Sequence, residues 1–129
     1  MGPETVEHIN IVNWFNHNYP EYSDDFHHFA NERRCSIQQG RLLKRMGVKK
    51  GVADFFLALP CGSYHGLWIE LKVQKGKLSP EQTNFIQRKN ERGYLATAVW
   101  GFDAAKELIS TYLDSSTTRC FYNTPKNCS

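Results

Sequence analysis

Closely paired cysteines are missing from this 129-residue chain, and so is any Lys or Arg in its first 32 positions. Cys35, Cys61, Cys120 and Cys128 are far apart, with no CxxC pair. That spacing argues against a zinc site, which needs close ligand pairs, and a chain of this length needs no disulfide staples. His27 and His28 are adjacent, so on a strand they point to opposite faces. Free thiols in a reducing cytoplasm are the expectation. Long apolar runs are absent too. The longest, Val52 to Leu59, contains Asp54 and is far too short to span a bilayer. The N-terminus has no basic region followed by an apolar run, so no secretory leader and no membrane partner are expected. There are no repeats, no linker, no glycine-rich phosphate loop, and no Ser/His or Cys/His arrangement of recognisable spacing. With 40% hydrophobic and 22% charged residues, the composition is that of one folded globular domain rather than a disordered chain.

The net charge is only +3 but it is unevenly placed. Residues 1–32 carry six acids (Glu4, Glu7, Glu21, Asp24, Asp25, Glu32), whereas residues 33–92 carry thirteen bases and four acids. Arg33, Arg34, Arg41, Lys44, Arg45, Lys49 and Lys50 all precede the next acid, Asp54. Such a block can track a phosphate backbone, or it can be a solvated helix face.

The apolar stripe Val6, Ile9, Val12 and Phe15 predicts a helix over 5–18. A short strand is expected at 26–30. Ser36 can cap a helix running to Met46 with Gly47 as its stop. Strands are expected over 53–59 and 67–73, joined by the turn residues Pro60, Cys61, Gly62 and Ser63. Ser79 as N-cap, Pro80 at the first helical position and Gln82 as the capping-box partner mark the next helix, and Gly93 is its stop. A strand over 94–100 and a helix capped by Asp103 and running to Leu113 follow. Residues 114–129, rich in Ser, Thr and Asn, are expected to be a polar tail. The pattern is a mixed α/β layout around a central sheet.

Two acids interrupt otherwise apolar strands. Asp54 precedes Phe55, Phe56 and Leu57, and Glu70 lies between Ile69 and Leu71, with Lys72 two residues on. Positions i and i+2 share a strand face, so Glu70 and Lys72 project together. If the two strands pair, Asp54 meets Glu70. Buried neighbouring carboxylates repel each other, and a hard divalent cation removes that cost. A lysine beside the cation can orient the attacking water or steady charge on a phosphate. Metal, water and positive group are the set needed to hydrolyse a phosphodiester. The alternative is a structural ion pair at a strand edge.

These residues resemble the PD-(D/E)xK nuclease superfamily and, within it, the VRR-NUC family of virus-type replication-repair nucleases. The resemblance runs from about Thr5 to Leu113. It rests on "NERRCSIQQGRLLKRMGVKKGVAD", "GLWIELKVQKGKLSPEQTNFI" and "GYLATAVWGFDAAKELISTYL". It implies a restriction-endonuclease-like core with a central mixed sheet flanked by helices, formed by residues 1–113. It also implies Mg²⁺ or Mn²⁺ held by Asp54, Glu70 and the main-chain carbonyl of Leu71, with Lys72 as the catalytic lysine. Gln82 falls on the family's helix glutamine near the site, although its capping position alone accounts for it. Glu7 matches the acid of the first helix, which can approach the metal, or it faces solvent. Asn31 and Glu32 either bind substrate or make a turn. Ala53 stands where the family motif has proline, a departure that removes no ligand. Arg33, Arg34, Arg41, Lys44, Arg45, Lys49, Lys50, Lys75 and Lys77 are the expected phosphate contacts. The resemblance further implies a homodimer acting on branched DNA such as four-way junctions, in the cytoplasm of a bacterium or a phage-infected cell. Trp14, Phe15, Tyr19, Tyr22, Phe26 and Phe29 can pack the core or form the dimer seam.

Overall fold

Hydrophobic alternation builds a four-stranded sheet that is buried on one face by two helices. The computed structural model describes residues 2–30 and 36–114. Asn31, Glu32, Arg33, Arg34, Cys35 and the expected tail from 115 onward, with Cys120 and Cys128, lie outside the described residues. The elements are α1 (Pro3–Asn18), a 3₁₀ segment (Pro20–Asp25), β1 (Phe26–His28), α2 (Ile37–Arg45), β2 (Phe55–Leu57), β3 (Leu67–Lys72), α3 (Pro80–Glu91), β4 (Leu95–Trp100) and α4 (Phe102–Asp114). The strands lie in the order β1-β2-β3-β4. The first two pairings are antiparallel, and β3 and β4 are parallel, connected by α3.

On one sheet face Phe55, Leu57, Leu67, Ile69 and Leu71 meet Ile11 and Phe15 of α1 and Ala105, Ile109 and Tyr112 of α4. Each large apolar side chain removed from water here contributes about 1.5–3 kcal/mol. Tyr112 is buried to its hydroxyl, which donates to the carbonyl of Leu59 at 2.7 Å and ties α4 to the chain after β2. On the other face Phe56 stacks on Trp68 at 4.2 Å, and Trp68 meets Phe85 of α3 edge-on at 5.0 Å.

Both expected N-caps are present, the Ser79–Gln82 capping box as expected and Ser36 as one half of a second box, with Gln39, that the sequence reading did not name. Ser36 accepts from the Gln39 amide while the Gln39 side chain accepts from the Ser36 amide, and Ser79 and Gln82 do the same for α3. After α3 the chain turns at Gly93, whose φ of +92° suits glycine. The strands are shorter than expected, although flanking bonds continue the pairing: Phe29 N–H to Asp54 O at 2.8 Å and Ala58 N–H to Asp25 O at 2.9 Å.

Two expectations are corrected. The Val6, Ile9, Val12, Phe15 stripe is not the buried face of α1, since Val6 and Ile9 are 40% and 44% exposed. A repeat of three residues falls short of a 3.6-residue turn, so each step rotates about 60° backward and the stripe winds off the core. The inward face is Glu4, His8, Ile11 and Phe15, whose spacings of four, three and four keep them aligned. Asp103 is the second residue of α4 rather than its cap. There it still favours the helix dipole and pairs with Lys106 at 3.4 Å.

Candidate active site

β2 and β3 bring the two strand acids face to face. Phe55 pairs with Ile69 in antiparallel register, so Asp54 and Glu70, one step beyond on each strand, lie opposite each other. Apolar neighbours on both strands bury them: Asp54 is 4% and Glu70 2% exposed. Asp54 Oδ2 accepts the Leu71 amide at 2.8 Å, which fixes the carboxylate against β3. Glu70 Oε2 accepts Gln82 Nε2 at 2.9 Å and lies 3.5 Å from Lys72 Nζ. Gln82 thus serves two ends of one amide. Its Oε1 accepts the Ser79 amide at 2.9 Å to cap α3, and its Nε2 holds the acid.

The electrostatics of the pair are unbalanced. Burial, followed by the adjacent Asp54 charge, pushes the Glu70 carboxyl up to about 8, against the opposing pull of Lys72. One lysine does not compensate two buried carboxylates. Glu70 Oε1 is buried and has no hydrogen-bond partner among the described residues. An orphaned buried carboxylate oxygen beside a second carboxylate is an oxygen-rich site of the kind a divalent cation occupies, so the residues present fit one.

Glu7 lies on α1, half-buried, and its Oε1 is likewise buried without a partner among the described residues. Its neighbours Val6 and Ile9 are exposed, and the inward face of α1 is the one that carries Glu4 and His8. Sequence reading missed those two residues. Glu4, His8 and Asp54 place one ligand atom each within 4.8 Å of one another. His8 Nε2 is 3.7 Å from Asp54 Oδ2, and His8 Nδ1 is 3.1 Å from His28 Nε2. Burial and the neighbouring His8 hold the His28 imidazole below its ordinary value, against the pull of Asp54. The signal was available in the one-turn spacing of Glu4 and His8, in line with Ile11 and Phe15. It was hidden by the competing apolar residues Val6 and Ile9.

The expected basic positions that the structure describes lie at the surface. Arg41, Lys44 and Arg45 are exposed on α2, Lys49 and Lys50 are exposed after it, and Lys75 and Lys77 are exposed on the loop after Lys72. Gly51 lies so close to α3 that an added Cβ would sit 2.6 Å from Glu81, and its φ is +83°. The segment carrying Lys49 and Lys50 therefore passes beside the N-terminal turn of α3, where Gln82 is. The lysine loop is pinned by Trp100 Nε1, which donates to Gly76 O at 2.8 Å.

The VRR-NUC domain family matches residues 3–103. No curated protein sequence matches the chain. A solved structure described as a VRR_NUC domain protein is 27% identical and superposes with a TM-score of 0.77, over 88% of this chain and 89% of that one. With a buried acid pair and an adjacent lysine on paired strands, a match over most of its length and the same fold, this chain belongs to the VRR-NUC domain family of PD-(D/E)xK-type nucleases.

Proposed function

We propose that the chain is a divalent-cation-dependent endonuclease that hydrolyses phosphodiester bonds in branched DNA, with four-way junctions as its preferred substrate and a homodimer as its working form. The observation that carries the reading is the buried Asp54–Glu70 pair with its unmatched oxygen and single lysine. Asp54, Glu70 and the main-chain carbonyl of Leu71 would hold Mg²⁺ or Mn²⁺. When bound, the cation supplies Lewis-acid stabilisation of the phosphate and a lower pKa for the attacking water.

The chain's own groups do the rest. Gln82 engages Glu70 Oε2, which leaves Oε1 as the atom able to ligate. The Leu71 amide holds Asp54 in place. Lys72, close to Glu70 and largely shielded from water, keeps a positive charge where negative charge develops on the phosphate and can orient the water. The exposed bases of α2 and the Lys75–Lys77 loop are suited to backbone phosphates, and no base-reading motif is present. Recognition would then follow DNA shape. A two-fold dimer suits a junction because protein and substrate share the symmetry. The uncovered apolar side of α2, with Leu42 and Met46 exposed, offers surface for a second copy.

The test is cleavage of a synthetic four-way junction with Mg²⁺, Mn²⁺ or EDTA, comparing wild type with Lys72→Ala. Paired metal-dependent nicks, lost in the variant, are expected. Progressive loss from DNA ends would make the chain an exonuclease, and preferential cutting of flaps or nicked duplex would make it a flap or nicking enzyme. Binding without any cutting would leave a DNA-binding module. Light scattering of the purified chain tests the dimer.

A further inference from the structure

The end of the sheet that holds the two acids and the lysine also holds two aromatic rings. Phe29 N–H donates to Asp54 O at 2.8 Å, so Phe29 extends β1 beside Asp54. Trp100 closes β4 opposite Lys72. We propose that Phe29 and Trp100 are stacking posts for nucleobases on either side of the scissile phosphate, and that the chain therefore takes DNA whose bases are unstacked at the cut. The proposal rests on reading the Asp54–Glu70 pair as a nuclease centre and names what that centre selects.

The pairing register sets the placement. Cross-strand partners project from the same sheet face, as do positions i and i+2 of one strand. His28 pairs with Phe55 and Phe55 with Ile69, so the next step along puts Phe29, Asp54 and Glu70 in one row, and Trp100 pairs with Lys72. All five residues therefore share the face turned away from the α1–α4 core. The strand order β1-β2-β3-β4 sets the two rings on the outer strands, with the acids and the lysine between them. Neighbouring strands are about 4.8 Å apart and phosphates along one DNA strand rise about 3.4 Å each, so the rings stand a few nucleotides apart.

The rings are open to solvent and yet held. Phe29 is 36% and Trp100 47% exposed, more than any other Phe, Tyr or Trp among the described residues. A lone exposed ring is ordinary on a protein surface, but these two flank one buried acid pair. Phe29 stacks on Trp68 with ring centroids 5.8 Å apart, and Phe56 backs Trp68 at 4.2 Å. Trp100 Nε1 donates to Gly76 O at 2.8 Å, which ties the indole to the loop carrying Lys75 and Lys77. Rings fixed beforehand lose little freedom on binding, and the lysines beside Trp100 suit the backbone from which the bases hang. In a duplex each base is covered on both faces by its neighbours, whereas at a branch, flap or gap a face is free. Stacking on a ring tolerates every base, so the two posts select structure without reading sequence.

The experiment first maps the wild-type cut in branched DNA with Mg²⁺ or Mn²⁺. Binding is then measured on the Lys72→Ala background, to the same DNA intact and with abasic nucleotides on both sides of the mapped phosphate. The abasic DNA should bind about 5–100-fold more weakly than the intact DNA. Phe29→Leu and Trp100→Leu should each weaken binding to intact DNA by a factor in that range, lose less than the parent on going to abasic DNA, and keep the parent's salt slope. Phe29→Tyr and Trp100→Phe, which keep a ring, should retain most of the affinity. Both Trp100 variants lose the bond to Gly76, so the difference between them isolates the ring. Circular dichroism establishes that each variant is folded. Abasic DNA that binds as tightly as intact DNA, or folded Leu variants that lose affinity equally for both, would overturn the proposal and leave the nuclease reading standing. A wild-type chain that cuts no DNA with either metal would overturn that reading and the proposal with it.

Discussion

The Asp54–Glu70 end of the sheet and helix α2 are both charged, and they are held in opposite ways. At the first, two acids are 4% and 2% exposed and are fixed by Leu71, Gln82 and Lys72. At the second, no residue of α2 is buried, Met46 is 69% exposed, and Arg41, Lys44 and Arg45 extend into solvent. Charge in a low-dielectric interior interacts strongly and demands partners, while charge on a solvated helix is screened and nearly free of stability consequences. The first arrangement suits chemistry, and the second suits reversible contact with a polyanion.

That contrast predicts which changes matter most. Asp54→Asn, Glu70→Gln and Lys72→Ala should each lower cleavage about 10²–10³-fold or more while leaving most DNA binding intact, as measured by single-turnover cutting beside a binding assay. Cutting that survives both acid changes would place the active centre elsewhere. Replacing Arg41, Lys44 and Arg45 together with Gln should do the reverse. Binding should weaken across all DNA sequences, and the salt slope should fall by about one for each side chain that meets a phosphate. Thermal stability should stay within about 0.5 kcal/mol.

A pH titration of stability sharpens the comparison further. In the fold Glu70 is raised to about 8 from its ordinary 4.5. Between those values the folded chain keeps a proton that the unfolded chain has lost. The contribution of Glu70 is therefore full below about 4.5 and declines as pH rises towards 8. Melting curves in EDTA should show this fall, and Glu70→Gln should flatten it. A curve for Glu70→Gln that matches wild type would mean that the carboxyl titrates normally.

The smallest effects should come from the two capping serines, and they should be unequal. Ser79→Ala removes the cap of a helix packed on the sheet and frees Gln82, so global stability should drop by about 1 kcal/mol. Ser36→Ala removes the same kind of cap from α2. Because α2 buries nothing, its fraying should appear in amide exchange of residues 37–45 with little change in melting temperature.

Much of this was legible beforehand for a local reason. Ser36, Ser79, Pro80 and Gln82 act on the backbone within one helical turn, so their order in the chain is their geometry. The same holds for Glu70 and Lys72, two residues apart on one strand. Asp54 needed one further inference, that its strand pairs with the next, and the turn residues between them carry it. The strand ends at 55–57 and the helix start at Phe102 were less legible, since pairing partners and the Gly101 turn set them.

By itself, the sequence determined the element order, both N-caps, the Ser79–Gln82 capping box, the Glu70–Lys72 pair and the basic block, because each depends on neighbours in the chain. It took the tertiary structure to set Glu4 and His8, half-buried, in line with the buried Ile11 and Phe15 of α1 while Val6 and Ile9 stay exposed. The tertiary structure also decided that His28 backs His8 and that Glu70 is left with an unmatched buried oxygen. A helix offers several candidate faces. Which one turns inward depends on the sheet and on α4 across the core, partners far away in the chain.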